Sequence, residues 1–518
     1  MVKLFTASIR LLSAQSRCAA FPSVFNTTGL ASIETQYVTG GSTVALPTVG
    51  ADCIAIFNMA TTEVPAAQNV CIVSLAINTS STSTTRLSIW LPDDHNGRFL
   101  GTGTGGISGC IDHPTLSYAS GLGFASAGTD VGHTGQTAAP FLNAPEVLAD
   151  YAWRGVHVEA VVGKQVTSSY YGASPTFSYY TGCSLGGRQG FYSAENFPED
   201  FDGIIACSPA LDFVKLFSWF AFIAQPFIPN AAGAMTAETW YVVRNETFKQ
   251  CDHLDGAIDG IISYPADCKF DASKLLCSST RQEPCLNAAQ VDGLKKVYTD
   301  MYDPKGRFFH PRYDLGAEQS SPAMFGLTFG NQLPIPYFTY DVWRYAVYSD
   351  PAWAGTGFNW SDFQAGDAKL SKVMTGTEDL HAFKKRGGKI LTLHGTEDSI
   401  LPSGISTHKY ALTAHATGKH DLDSWYALYL VPGHNHCFNT GSEAKGAWRM
   451  GQVGTIPEPR AASNTSEHNA LLALVDWVEK GKEPERLVGM TDAGETREVC
   501  RYPSTGRWLK GVWKCGPR

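Results

Sequence analysis

The sequence predicts an α/β fold, a mostly parallel sheet flanked by helices and split by one long insertion. Two observations carry this. Strand-like segments alternate with amphipathic helical ones before residue 210 and again after residue 383. The residues between, 210–383, are irregular and aromatic-rich and hold a cysteine-rich run from 251 to 285. A chain of 518 residues is also too long for one simple core, which fits a large domain carrying an insertion.

In order, "TRLSIWLP" and "GRFLGTGTGG" read as strands leading into turns. "APEVLADYAWRGVHVEAVVGKQVTSSYYG" reads as one long amphipathic helix opened by Pro145. "FSYYTG" is a short strand, "GGRQGFYSAENFP" the helix after it, and "FDGIIACSPA" a buried strand. The pattern resumes with a strand at Ile390 to Leu393, another in "WYALYLVPGHNHC", and a last helix in "HNALLALVDWVEKGKEP". "NTSSTSTT" (78–85) reads as an exposed hairpin or loop. The expected division is a signal segment over 1–17, a catalytic domain over 18–209 and 384–518, and a lid over 210–383.

Composition is that of a globular chain, 43% hydrophobic and 17% charged. A formal charge of −8 gives no electrostatic case for nucleic acid or an anionic membrane. No run of 18 apolar residues predicts a membrane span. Aromatic residues make up 12%, which suits aromatic or sugar surfaces as well as a large core. There are 13 Cys and no C-x-x-C pair, so metal clusters of that type are not expected. Five N-x-S/T sequons begin at Asn26, Asn78, Asn245, Asn359 and Asn464. Together with the cysteines they predict a secreted, glycosylated chain. Residues 1–17 carry a basic residue and a short apolar run interrupted by Arg10.

Gly182-Cys183-Ser184-Leu185-Gly186 matches G-x-S-x-G, the strand-to-helix turn that presents a serine nucleophile in α/β-hydrolases. There the triad follows in the order Ser, Asp/Glu, His, each residue on a loop after a strand. Ser184, Asp398 and His436 fit that order. Ser184 would attack an acyl carbon, His436 would relay its proton, and Asp398 would orient and charge the imidazole. The competitors are Glu397, Asp367 and Asp421 for the acid, and His394 and His434 for the base. Cys183 precedes the serine and Cys437 follows His436. A disulfide between them would hold its Cα atoms about 5.5 Å apart, which favours His436 over His434. A buried serine in a glycine-rich turn would explain neither partner.

The chain resembles the fungal tannase and feruloyl esterase family, marked by this Cys-Ser … Asp … His-Cys arrangement. The resemblance rests on "GCSLGGRQG", "HGTEDSILP" and "PGHNHC", with "LGTGTGGISGC", "AGTDVGHTG" and "NAPEVLADYAWRGVHVEAVVGKQ" in support. It spans about Cys18 to Cys515 and implies an α/β-hydrolase core with a large lid.

An oxyanion hole needs two backbone N–H donors. Leu185 should supply one and Gly105 or Gly106 the other, although an ordinary Gly-rich turn at "GTGTGG" is equally compatible with the residues alone. "CDHLDGAIDGIISYPADC" clusters Asp252, Asp255 and Asp259 on one short loop. Hard oxygens there suit Ca²⁺, without EF-hand spacing, and solvated Asp-Gly turns are the alternative. The resemblance implies structural calcium held by Asp252, Asp255 and Asp259 and by the carbonyls of Ala257 and Ile261, and no catalytic cofactor.

Local spacing makes Cys251–Cys268, Cys277–Cys285 and Cys500–Cys515 plausible pairs. The resemblance implies Cys18–Cys71, Cys53–Cys110 and the Cys183–Cys437 clamp, leaving Cys207 as a buried free thiol. In the aromatic run 333–353, Tyr337, Phe338, Trp343 and Tyr345 are candidate acyl-pocket walls or, alternatively, lid core. The expected activity is release of ferulic, p-coumaric or caffeic acid from plant cell-wall polysaccharide esters. Galloyl ester hydrolysis by a tannase is the alternative, and another aromatic ester or a catalytically dead binding module is remoter.

Overall fold

The computed structural model describes residues 12–46, 53, 62–228, 230–278, 284–318, 333–376, 378–418, 422–437, 448–451, 461–491 and 493–517. Residues 1–11, most of the expected signal segment, and Asp421 lie outside them.

Nine strands form the central sheet: β1 Leu30–Val38, β2 Val70–Asn78, β3 Thr84–Pro92, β4 Arg98–Thr102, β5 Ala125–Thr129, β6 Phe177–Cys183, β7 Gly203–Cys207, β8 Lys389–Gly395 and β9 Tyr426–Val431. Their order is β1-β2-β3-β5-β4-β6-β7-β8-β9. The first three strands and the β3–β5 pair are antiparallel. From β5 through β4 to β9 every neighbour is parallel. This is the α/β-hydrolase fold. Its parallel half reads as apolar runs because helices cover both faces. In "GIIAC" all five residues are buried, and each large aliphatic side chain so buried contributes about 1.5–3 kcal/mol.

Helices α1 Gly155–Tyr171, α2 Leu185–Asn196, α3 Phe213–Ala224, α4 Tyr337–Val342 and α5 Ala470–Lys480 bear on the site. Asn469 caps α5, accepting from the N–H groups of Leu471 and Leu472. Gly172, at φ 84°, ends α1.

The single long helix expected from Pro145 is instead three pieces. A short α-turn, Pro145–Ala149, and a π-helical turn, Asp150–Arg154, precede α1. The buried Asp150 carboxylate accepts from Thr79, Ser83 and Arg154 and anchors the π-turn. Amphipathic periodicity does not report such a local insertion.

Among the described residues, none between β7 and β8 joins the central sheet. The described residues of the insertion include several helices and a short hairpin at Met301–Tyr302 and Phe308–His310. β1, β2 and β5 are strands that the pattern reading did not single out. β5, "ASAGT", has one β-branched residue and is wholly buried, so it lacks an alternating signal. The 78–85 turn joins β2 to β3 as expected. All six expected disulfides are present, and Cys207 is free and buried. The five sequon asparagines are all exposed. No helix among the described residues is long and apolar enough to cross a membrane.

Candidate active site

Ser184 sits between β6 and α2 with φ 61° and ψ −119°, a backbone conformation rare for any residue but glycine. Its neighbours hold it there. The Ser184 N–H donates to the Cys207 carbonyl at 3.0 Å, and its carbonyl accepts from the Arg188 and Ala210 N–H groups. The turn is tight enough to require its flanking glycines. A Cβ on Gly182 would lie 2.6 Å from the Gly186 carbonyl carbon. A Cβ on Gly103 would lie 2.5 Å from the Gly186 Cα, so the "GTGTGG" turn packs directly against the elbow.

His436 Nδ1 lies 2.7 Å from Asp398 Oδ2. The other Asp398 oxygen accepts from the Ile400 and Leu401 N–H groups. Burial would raise this acid, but the charge on His436 and hydrogen bonds from His394 and His436 hold it well below the usual carboxylate range. Asp398 is thus a fixed negative charge behind the imidazole. Glu397 is fully buried, neither of its oxygens has a hydrogen-bond partner among the described residues, and burial pushes it well above the usual range. Asp367 is exposed and accepts from Ser371. His394 instead supports the acid: Nε2 is 2.9 Å from the Leu401 carbonyl and 3.5 Å from Asp398, and Nδ1 is 2.7 Å from Ser406. The Cys183 and Cys437 Cα atoms are 5.9 Å apart, which brings together the loops that carry Ser184 and His436.

A family model described as "Tannase and feruloyl esterase" matches residues 71–325 and 358–516. The chain belongs to this family. It is a carboxylic ester hydrolase. It is 36% identical over 522 residues to a probable feruloyl esterase B-2 of Aspergillus terreus, covering 97% of this chain and 95% of the relative. It is 39% identical over 449 residues to a probable feruloyl esterase B of Emericella nidulans, covering 84% and 82%. The crystal structure of feruloyl esterase B from Aspergillus oryzae superposes with a TM-score of 0.88 at 33% identity, covering 97% of this chain and 100% of that one. Tannin acyl hydrolase from Aspergillus niger shares the fold, with a TM-score of 0.74 at 21% identity, covering 99% and 95%.

Beside the elbow, Gly106 has φ 61°, a conformation that suits glycine. The N–H groups of Gly105, Gly106 and Leu185 have no acceptor among the described residues. An oxyanion hole requires two such donors, and the turn that carries Gly105 and Gly106 packs on Gly186 of the elbow through Gly103 and Thr104.

Sequence reasoning missed Asn435, His394 as a support for the acid, and the aromatic row. Asn435 Oδ1 accepts from the Ser399 N–H and hydroxyl and from the His436 N–H, tying the acid loop to the histidine loop. Ring contacts run from Tyr151 through Phe213 and Phe217 to Phe338 and Tyr337, with centroid spacings of 6.4, 4.1, 5.7 and 5.9 Å. Phe213 and Phe217 share one face of α3 at i, i+4, a spacing visible in "FVKLFSWF". Tyr345 is partly buried beneath Arg344. Trp343 corrects the pocket expectation. It is fully buried, donates to the Asp362 carbonyl and packs on Gly366 and Phe358, so it is core of the insertion.

The acidic loop supplies hard oxygens, but its carboxylates serve the loop itself. Asp252 accepts from the Asp259 and Gly260 N–H groups, Asp255 from Ala257 N–H and the Ser263 hydroxyl, and Asp259 from Ile261 N–H. Buried Arg497 lies 3.8 Å from Asp255 and 3.9 Å from Asp259. Burial still pushes Asp259 up to about 6, despite Arg497. Among the described residues no three His, Cys, Asp or Glu side chains converge as a metal site. The donors fit calcium in kind, without convergence of the three carboxylates.

Proposed function

We propose that the chain is a secreted feruloyl esterase acting on hydroxycinnamate esters of plant cell-wall polysaccharide. The observation that carries this is its 35–39% identity, over most of its length, to relatives named feruloyl esterase B. Galloyl esters are the second reading, because the family joins both activities. The disulfides and exposed sequons support secretion.

In the proposed mechanism Ser184 Oγ bonds to the ester carbonyl carbon while its proton passes to His436 Nε2. Asp398 stabilises the resulting imidazolium. The carbonyl oxygen becomes an oxyanion facing the N–H groups of Leu185 and of Gly105 or Gly106. The C–O bond to the alcohol breaks and His436 returns the proton to the leaving oxygen. Water then gives a proton to His436, attacks the acyl carbon, and releases the acid as Ser184 recovers its proton. Tyr337, Phe338 and the ring row behind them supply an apolar side for a flat acyl group.

Rates on methyl ferulate, methyl caffeate, methyl p-coumarate, methyl sinapate and methyl gallate test the assignment. The expected order places a hydroxycinnamate first. A gallate preference would replace the feruloyl reading with the tannase one.

Calcium is proposed as a structural ion of the 251–268 loop, supported by the carboxylates of Asp252, Asp255 and Asp259 within one small disulfide ring. A chelator should lower Tm, and added calcium should restore it. Asp255→Asn should abolish that response. A Tm indifferent to chelator and calcium would remove the ion from the account.

A further inference from the structure

The two halves of the oxyanion hole lie on different elements, and a small set of buried side chains joins them. The Thr104 N–H donates to Gln189 Oε1 at 3.2 Å. Gln189 Nε2 donates to the Tyr151 carbonyl at 3.1 Å. The Tyr151 hydroxyl donates to the Gly106 carbonyl at 2.8 Å. Two residues before this ring, the Thr102 N–H donates to Glu159 Oε1 at 2.7 Å. Gln189, Tyr151 and Glu159 are all buried.

We infer that Gln189 and Tyr151 are positioning residues that set the oxyanion hole, acting through the turn Thr104–Gly106. The inference rests on the serine-esterase reading above. The ring fixes the peptide before Thr104 and the peptide after Gly106. Between them lie the two peptides that carry the Gly105 and Gly106 N–H groups. Two adjacent glycines have no side chains to hold them and a wide choice of backbone conformation. Their orientation must be imposed from both ends.

Gln189 lies on α2, five residues after the nucleophile, so one side chain ties the turn to the helix whose first N–H is the other donor. Tyr151 reaches Gly106 from the π-helical turn Asp150–Arg154, which gives that local irregularity a use. Glu159 holds the strand end just ahead of the turn. It is fully buried, one of its oxygens has no partner among the described residues, and burial pushes its carboxyl well above the usual carboxylate range.

Tyr151→Phe removes one oxygen and keeps the ring contacts, and Gln189→Leu removes both of that side chain's bonds. In the full-length enzyme each should lower kcat by roughly 10-fold, below the roughly 10²–10³ for losing a donor outright, with KM for methyl ferulate within about 2-fold. An aryl boronic acid that forms a tetrahedral adduct on Ser184 should lose affinity by the same factor as kcat/KM, while binding of free ferulic acid is unchanged. The double variant should fall well short of the product of the two single losses, because both act through one turn.

Unchanged kcat and boronate affinity in folded Tyr151→Phe overturns the proposal. So does equal weakening of boronate and ferulic acid, which would mark general loosening of the pocket. If Gln189→Leu does not fold, the Tyr151→Phe measurements decide. A wild type that forms no boronate adduct would overturn the serine–oxyanion reading itself, and the proposal with it.

Discussion

Ser184→Ala is expected to lower kcat on aryl esters by on the order of 10⁶, leaving the residual rate that binding and oxyanion donors alone provide. The side chain changes by one oxygen, and the backbone that strains residue 184 is held by the Cys207, Arg188 and Ala210 bonds, none of which uses Oγ. The variant should therefore fold with a Tm close to that of the wild type and still bind a ferulate ester. Loss of turnover with retained binding is the signature of a nucleophile. A folded Ser184→Ala enzyme that kept even a tenth of wild-type turnover would rule out the proposed mechanism and move attention to a water-based reaction or a binding role.

The second large effect concerns the clamp. Replacing Cys183 and Cys437 together by Ala should lower kcat by roughly 100-fold, because the disulfide brings the nucleophile and base loops together and small misplacements are costly. It should also lower stability. The bridge closes a loop of 254 residues, and chain entropy sets the loss at up to about 5 kcal/mol. The two effects separate by temperature. Turnover measured well below the variant's own Tm reports geometry, and Tm reports the loop. The Asp398–His436 bond and Asn435 should hold the histidine loop in part, so activity should fall and not vanish. Unchanged kcat in a folded double variant would show that the loops meet correctly without the bridge.

Much of the site is legible from short stretches of chain. G-x-S-x-G is readable because a nucleophile elbow needs glycine at contacts as close as those of Gly182 and Gly186. Asp398 and His436 are readable because each lies just past the C-terminal end of a strong apolar strand, β8 or β9. Cys183 and Cys437 add a distance restraint between segments far apart in sequence. β5 and the π-turn before α1 were not legible in the same way. One lacks alternation, and the other is set by Asp150 meeting Thr79 and Ser83 across the fold. Trp343 shows the limit of composition. An aromatic run marks apolar burial, and only packing tells a pocket wall from core.

The sequence by itself determined the fold class, the order of the triad and the family, since these rest on local patterning and on residue types that chemistry requires at fixed places. Only the tertiary structure decided which groups hold the triad and its donors in place: Asn435 between two loops, His394 behind Asp398, and the Gln189–Tyr151 ring around the oxyanion turn. Those contacts join residues on separate elements through single hydrogen bonds. A glutamine five residues after a serine carries no mark of its partner until the backbone brings Thr104 within 3.2 Å of it.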